Sequence, residues 1–211
     1  MSPLYDILIC SIPHRRPTLL LLLDELDRQI EGPEVGVRIC YDNLQSGYGS
    51  KCNALLLSSK AEYVSFVDDD DMLAPDYLRL VLSALDTRPD YVGFPVHFTS
   101  DGNWVQPVEH SLRHGTWHDM PQMLCRDITQ FNPIKRELAL LGQWSGGFGA
   151  EREWASGVRA SGKCTGEAWI DKPMYYYQHR SHDTFMNGRT PEPEPIPALP
   201  DYPWLTSVDV A

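Results

Sequence analysis

Residues 63–67 (YVSFV) form an apolar run that stops at four consecutive aspartates, Asp68, Asp69, Asp70 and Asp71. The run has the length and composition of a buried strand, and Pro75 opens a helical stretch, PDYLRLVLSALDT, soon after it. Four adjacent carboxylates repel one another, and burial penalises each ionised form, so they do not belong in a core. They belong beyond the carboxyl end of a strand, where open α/β sheets bind their ligands. A hard divalent cation, Mg2+ or Mn2+, suits such a set of oxygens and would also hold a diphosphate. The competing reading is a solvated acidic turn that caps the following helix.

The same strand-to-helix rhythm runs through the first half. Residues 5–12 (YDILICSI) and 35–41 (VGVRICY) read as strands. Pro17 opens a helix, TLLLLLDELDRQI, that Gly32-Pro33 ends; residues 50–60 read as a short helix and 91–98 as a fourth strand. Alternation at this spacing predicts an α/β fold with a mostly parallel sheet and helices on both faces. Beyond about residue 100 the pattern changes. Gly102-Asn103 reads as a turn, 129–131 as an extended piece, PIKRELALLG after Pro133 as a helix, 150–160 as a helix behind Gly146-Gly147-Phe148-Gly149, and 174–178 as a strand. Prolines at 191, 193, 195, 197, 200 and 203 predict an extended, polyproline-like tail that Tyr202 and Trp204 lay across the body. The expected division is a ligand-binding half, 1–99, a second subdomain, 100–190, and the tail, 191–211.

Charge and cysteine usage narrow the class. The formal net charge is -11, which opposes a main role in coating nucleic acid; Arg113, Arg126, Lys135 and Arg136 are the local basic group that keeps a DNA acceptor in view. The cysteines, Cys10, Cys40, Cys52, Cys125 and Cys164, are odd in number and form no CxxC pair, so they read as reduced thiols. The longest apolar stretch, 19–23, is far short of a membrane span, and no basic leader precedes it; the expectation is a cytoplasmic protein. His110, His114 and His118 read as surface or acceptor-side residues without a role, and Trp144 and Trp154 as either sugar-stacking or core aromatics.

Two further features lie between the first strand and the acid cluster. Asp42 ends the second strand and so stands near the cluster on a parallel sheet. Gly47-Tyr48-Gly49-Ser50-Lys51-Cys52-Asn53 is a glycine-containing turn into a helix whose first turn carries Lys51, an arrangement that favours phosphate oxygens. It lacks the GKS/T ending of a Walker A loop.

Taken in order, Ser11-Ile12-Pro13-His14-Arg15-Arg16, Asp42, Gly49-Ser50-Lys51-Cys52-Asn53 and the four aspartates resemble a family-2 glycosyltransferase of the GT-A fold over residues 5–85. Cys52 stands where many relatives carry Arg. The resemblance implies an inverting, D-x-D-type enzyme that takes a nucleotide-diphosphate sugar. It implies that Pro13 and Arg15 line the nucleotide pocket and that Asp42 accepts from the base. Lys51 would lie near base or diphosphate, with Asn53 beside the donor; Asp68 would contact ribose or sugar and Asp70 the metal. Asp69 falls in the donor-binding set, its carboxylate, like that of Asp71, serving mainly to shape the turn. Relatives place a Glu-Asp pair at a helix start in the second half. Here Ala150 precedes Glu151, so Glu151 is the expected base and Glu153 its alternative. In Tyr175-Tyr176-Tyr177-Gln178-His179-Arg180-Ser181-His182, the resemblance gives Arg180 to the diphosphate and His182, or else His179, to the metal. The acceptor stays open among a saccharide, a protein, a small molecule and a modified nucleobase. Two rivals remain: a nucleotidyltransferase acting on a sugar phosphate, and a nucleotide-sugar-binding module without catalysis.

Overall fold

The computed structural model describes residues 2–146, 149–181, 192 and 194–210. β1 (Tyr5–Ser11) passes through a 3-10 turn at Pro13–Arg15 into α1 (Arg16–Gln29). β2 (Val35–Tyr41), α2 (Tyr48–Ser58), β3 (Tyr63–Phe66), β4 (Met72–Leu73), α3 (Tyr77–Leu85) and β5 (Tyr91–Ser100) follow. Short pieces come next: β6 (Asn103–Trp104), β7 (Val108–His110), a 3-10 turn at Leu112–His114, β8 (His118–Met120), β9 (Met123–Arg126), β10 (Ile134–Lys135) and α4 (Arg136–Ala139). The chain continues through α5 (Ala150–Ala160), β11 (Glu167–Trp169), β12 (Tyr175–His179) and β13 (Leu205–Ser207).

The strands of the described residues join in one sheet whose main path is β13-β2-β1-β3-β10-β5-β7-β9-β8. β1 pairs in parallel with β2 and β3, as the βαβ rhythm predicts. β1 is apolar throughout because both its faces are covered. Ile7 and Ile9 face a core built with Leu19, Leu22 and Leu26 of α1 and Tyr77 and Val81 of α3. Leu8 faces the other way, into a core with Leu55 and Leu56 of α2 and Trp154 and Val158 of α5. Each of these fully buried leucines contributes roughly 2 kcal/mol relative to an exposed one.

The second half is woven into the same sheet. β10 inserts antiparallel between β3 and β5, and β11 and β12 both pair in parallel with β5. The helix expected after Pro133 is therefore a strand followed by a single helical turn, α4. Ile134 and Lys135 give up helical bonding to complete the ladder between two strands. Residues 129–131 form no strand: Thr129 N donates to the Tyr91 hydroxyl at 3.3 Å, and Gln130 O accepts from Phe66 N at 2.8 Å. The turn before Asn103 is made by Asp101 and Gly102, at φ 49° and 78°, the left-handed conformations a two-residue hairpin needs. The tail ends in a strand the prolines concealed. β13 adds in parallel to β2, while the Tyr202 hydroxyl and Trp204 Nε1 each bond an aspartate of α1, Asp24 and Asp27, at 3.0 Å.

Candidate active site

The four aspartates form the turn between β3 and β4, at the carboxyl edge of the sheet. They do not behave as one group. Asp71 is fully buried, accepting from the Tyr175 hydroxyl at 2.9 Å and from Gln178 N at 2.7 Å. Asp69 is also buried and accepts from Ser11 Oγ at 2.5 Å and Arg15 Nη1 at 3.2 Å. Asp68 and Asp70 are partly open. Asp70 pairs with Arg15 at 2.6 Å and Arg180 at 3.2 Å.

Crowding shows in the acidities. Burial, followed by the charges of Asp70 and Asp69, pushes Asp68 up to about 7. Burial pushes Asp69 up to about 6 against the opposing pull of Arg15 and Ser11. Burial and the charges of Asp68 and Asp70 raise Asp71 well above the usual carboxylate range. A set of carboxylates under this strain is relieved by added positive charge, so its donor chemistry fits a hard divalent cation.

A cleft of about 710 Å3 opens beside the turn. One wall carries Ser11, Arg15, Lys51, Asp68 and Asp69, and Glu151 reaches it from the first turn of α5. Lys51 is almost wholly buried; its ammonium pairs with Asp42 and reaches Ser11 O at 3.3 Å. Asp42 also accepts from Ser46 N at 2.8 Å, which shapes the loop after β2. Gly49 lets α2 sit against the following loop: a Cβ there would collide with the Ser145 carbonyl oxygen. The opposite wall comes from β5, β7 and β9 and from Trp117 and Phe131.

The remaining sequence candidates occupy varied places. Pro13 is buried at the head of the 3-10 turn that presents Arg15. Asn53 donates to Trp144 O at 3.1 Å, bracing the loop before α5. Glu153 is exposed on α5, unlike the cleft-lining Glu151. Arg180 bonds Asp70 O at 3.1 Å and Gln178 Oε1 at 3.3 Å. His179 Nδ1 is engaged with Ser100 Oγ at 2.9 Å, and His182 lies outside the described residues.

One reading needs correction. His110 is buried, bonded to Asn132 Oδ1 at 2.8 Å and Thr129 Oγ1 at 3.0 Å. Trp144 and Trp154 are core residues that stack on each other at 5.3 Å. In the basic group Arg113 pairs with Glu109, Arg126 with Asp119 and Lys135 with Asp90, while Arg136 Nε donates to Leu56 O at 3.1 Å. Ser11, Tyr175 and Gln178, which hold the acid turn, escaped sequence reading. Only the period-two tyrosines of YYYQH hinted that Tyr175 and Tyr177 share a face.

A parallel βαβ core extended by antiparallel strands, with an acid turn at its carboxyl edge, is the GT-A glycosyltransferase architecture. A family model described as glycosyl transferase family 2 matches residues 23–151, and the chain belongs to that family. Among solved structures, S. aureus TarS 1-349 in complex with UDP-GlcNAc superposes with a TM-score of 0.66 at 14% identity, over 90% of this chain and 62% of that one. Glucosyl-3-phosphoglycerate synthase from Mycobacterium tuberculosis, with Mn2+, UDP and glucosyl-3-phosphoglycerate, gives 0.56 at 12% identity, over 87% and 75%. The mannosyltransferase PcManGT from Pyrobaculum calidifontis, with GDP-Man and Mn2+, gives 0.52 at 15% identity, over 85% and 57%. The chain thus spans about three fifths of the TarS fragment, and at these identities the likeness is one of fold. No curated protein matches it. Among the described residues, no helix is long and apolar enough to cross a membrane.

Proposed function

We propose that the chain transfers a sugar from a nucleotide-diphosphate donor to an acceptor hydroxyl, with inversion and with Mn2+ or Mg2+. The observation that carries this reading is the single cleft that gathers Arg15, Lys51, Asp68, Asp69 and Glu151 from separate elements. Family membership supports sugar transfer, and structures of the same fold that hold UDP-GlcNAc, or GDP-Man with Mn2+, support the donor class and the metal.

Asp70 is the residue that would hold the cation, at the open side of the acid turn. Bound there, the cation would neutralise charge on the departing diphosphate. Arg15 and Arg180, both on Asp70, supply further positive charge for phosphate oxygens. Lys51 keeps the Asp42 loop closed against the cleft wall. Glu151 takes the proton from the acceptor hydroxyl. The hydroxyl oxygen then bonds to the anomeric carbon from the face opposite the diphosphate, and the breaking C–O bond leaves its electron pair on the diphosphate. Asp69 and Asp71 shape the turn through their buried hydrogen bonds.

A thermal-shift screen of UDP-, GDP-, ADP-, CDP- and dTDP-sugars with Mn2+ identifies the donor, since ligand bound to the folded state alone raises the melting temperature. Donor hydrolysis with and without EDTA then tests the metal; rates indifferent to the chelator would remove it from the reading. Pyrophosphate among the products would indicate nucleotidyl transfer, and donor binding without turnover on any acceptor would indicate a binding module.

A further inference from the structure

Behind the cleft wall lies a second cluster of metal-type donors. In β7 and β9 the residues facing the cleft are Val108 and His110, and Leu124 and Arg126. Side chains alternate along a strand, so Glu109 and Cys125 face the other way. Glu109 is the register partner of Cys125 across β7 and β9, and Cys125 is the partner of His118 across β9 and β8. The three side chains therefore form one row on the back of a three-stranded patch. The 3-10 turn at Leu112–His114 sets His114 over that row.

The donor atoms of His114, His118 and Cys125 lie within 4.8 Å of one another, the one such trio among the described residues. His114 Nε2 is buried without a hydrogen-bond partner, in a side chain only 10% exposed, and stands 3.3 Å from Glu109 Oε2. That separation matches the roughly 3.3–3.8 Å between donors around a tetrahedral Zn2+ with bonds of about 2.0–2.3 Å. His118 Nδ1 lies 3.2 Å from the Thr116 carbonyl oxygen. Donating there leaves Nε2 with its lone pair free, the outer-shell support typical of a metal-bound imidazole. Cys125 Sγ, with no solvent access, is the soft donor that favours zinc over magnesium or manganese.

We propose that His114, His118 and Cys125, with Glu109 turned from its pairing with Arg113 to serve as the fourth donor, form a structural zinc site that clamps β7, β8, β9 and the 3-10 turn into the rigid far wall of the cleft. Binding releases the Cys125 thiol proton to solvent and leaves zinc–thiolate, zinc–imidazole and zinc–carboxylate bonds. Exposed His118 swings inward to close the remaining distance. The site is independent of the acid turn and of the proposed transferase reaction.

The test uses the full chain, purified and dialysed against zinc. We expect one zinc per chain by elemental analysis, retained in Asp70→Ala, and a thiolate-to-cobalt charge-transfer band after replacement by Co2+. Cys125→Ser should abolish that band. Because Cys125 is buried, His118→Ala, at an exposed position, serves as the second variant. Loss of an outer-shell partner alone weakens metal binding by roughly 10–100-fold, so loss of either ligand should weaken zinc by at least roughly 100-fold. A metal content well below one, zinc retained by His118→Ala, or a cobalt spectrum without the thiolate band would overturn the proposal.

Discussion

The two walls of the cleft are built on opposite principles. The wall bearing the acid turn stands on long parallel strands and keeps its carboxylates crowded: burial and mutual repulsion push Asp68 up to about 7 and Asp69 up to about 6. The far wall stands on β5 and on two strands of three and four residues, β7 and β9, and there burial holds His110 neutral, its pKa pushed down to about 4. One wall crowds carboxylates that Arg15 and Arg180 offset only in part; the other sets Val96, Phe98, Val108 and Leu124 beside Arg126. The proposed transfer, which would grip a charged diphosphate and present a neutral hydroxyl, would use both. The contrast separates residues that act on ligands from residues that hold shape, and each experiment below tests one side of it.

The largest effect should come from Glu151, the carboxylate that, among the described residues, lines the cleft from the second half. Glu151→Gln keeps size and hydrogen bonding but removes the proposed base, so kcat should fall by roughly 10²–10⁴ with donor binding retained. Glu153→Gln, two residues on and exposed, should leave kcat within about twofold, as surface changes away from a site usually do. Equal losses from both would break the assignment, and kcat measured under saturating donor decides it.

Asp70→Ala comes next. It should lower turnover by roughly 10²–10³, the scale of losing one preorganised electrostatic partner. It should not unfold the chain. Asp70 is partly open, and its charge is the second-largest cause of the raised pKa of Asp68. Removing it relieves repulsion, so the metal-free melting temperature at pH 8 should hold or rise. A marked fall would mean that the Arg15–Asp70–Arg180 pairing is structural and the catalytic reading of Asp70 wrong.

The pH dependence of stability distinguishes the walls by sign. His110 is depressed from 6.5 to about 4, chiefly by burial, with Arg126 and His114 adding repulsion. The neutral ring is favoured in the folded state, so its contribution is complete above pH 6.5, drains away as pH falls, and is gone below about 4. The shift corresponds to about 3 kcal/mol. The raised aspartates run the other way, since protonation relieves them on acidification. In His110→Gln the aspartate contribution remains, so the difference between wild type and variant isolates the imidazole. Urea unfolding at steps from pH 7.5 to 4 should show wild type losing about 3 kcal/mol relative to the variant. Parallel pH profiles would show that His110 does not carry the penalty.

What could be read from the amino acids follows the same divide. β1, α1, β2, β3 and α5 announce themselves because each is long enough to show a period and buries a continuous face. The acid turn was visible because its four members are adjacent. Its supports were not: Ser11 reaches Asp69 across 58 residues, and Tyr175 and Gln178 reach Asp71 across 104 and 107. β10 exists because two strands flank a gap that Ile134 and Lys135 fill, which no local pattern reveals. His110, His114 and His118 looked unrelated along the chain. Register, a property of the folded sheet, buries the first and sets His118 opposite Cys125, and the 3-10 turn brings His114 to them.

The smallest effect tests whether the proline-rich tail belongs to the wall of long strands or merely lies on it. Trp204 combines three contacts: its carbonyl accepts from Val37 N at 3.0 Å, its Nε1 donates to Asp27, and its ring stacks on Tyr202 at 4.5 Å. Trp204→Ala leaves the backbone bond to β2 in place but removes the stack and the indole bond. Stacking contributes about 0.5–1.5 kcal/mol and an exposed hydrogen bond about 0.5 kcal/mol, so a loss of about 1–2 kcal/mol is expected. Tyr202→Phe keeps the stack and loses only the bond to Asp24, so it should cost about 0.5 kcal/mol or less. Chemical denaturation of the two variants should rank them in that order with unchanged m-values, because the same surface unfolds in each. A lower m-value in Trp204→Ala would mean that β13 has already detached from β2 in the folded state. The tail would then be a strap held by its aromatics, and the sheet would end at β2.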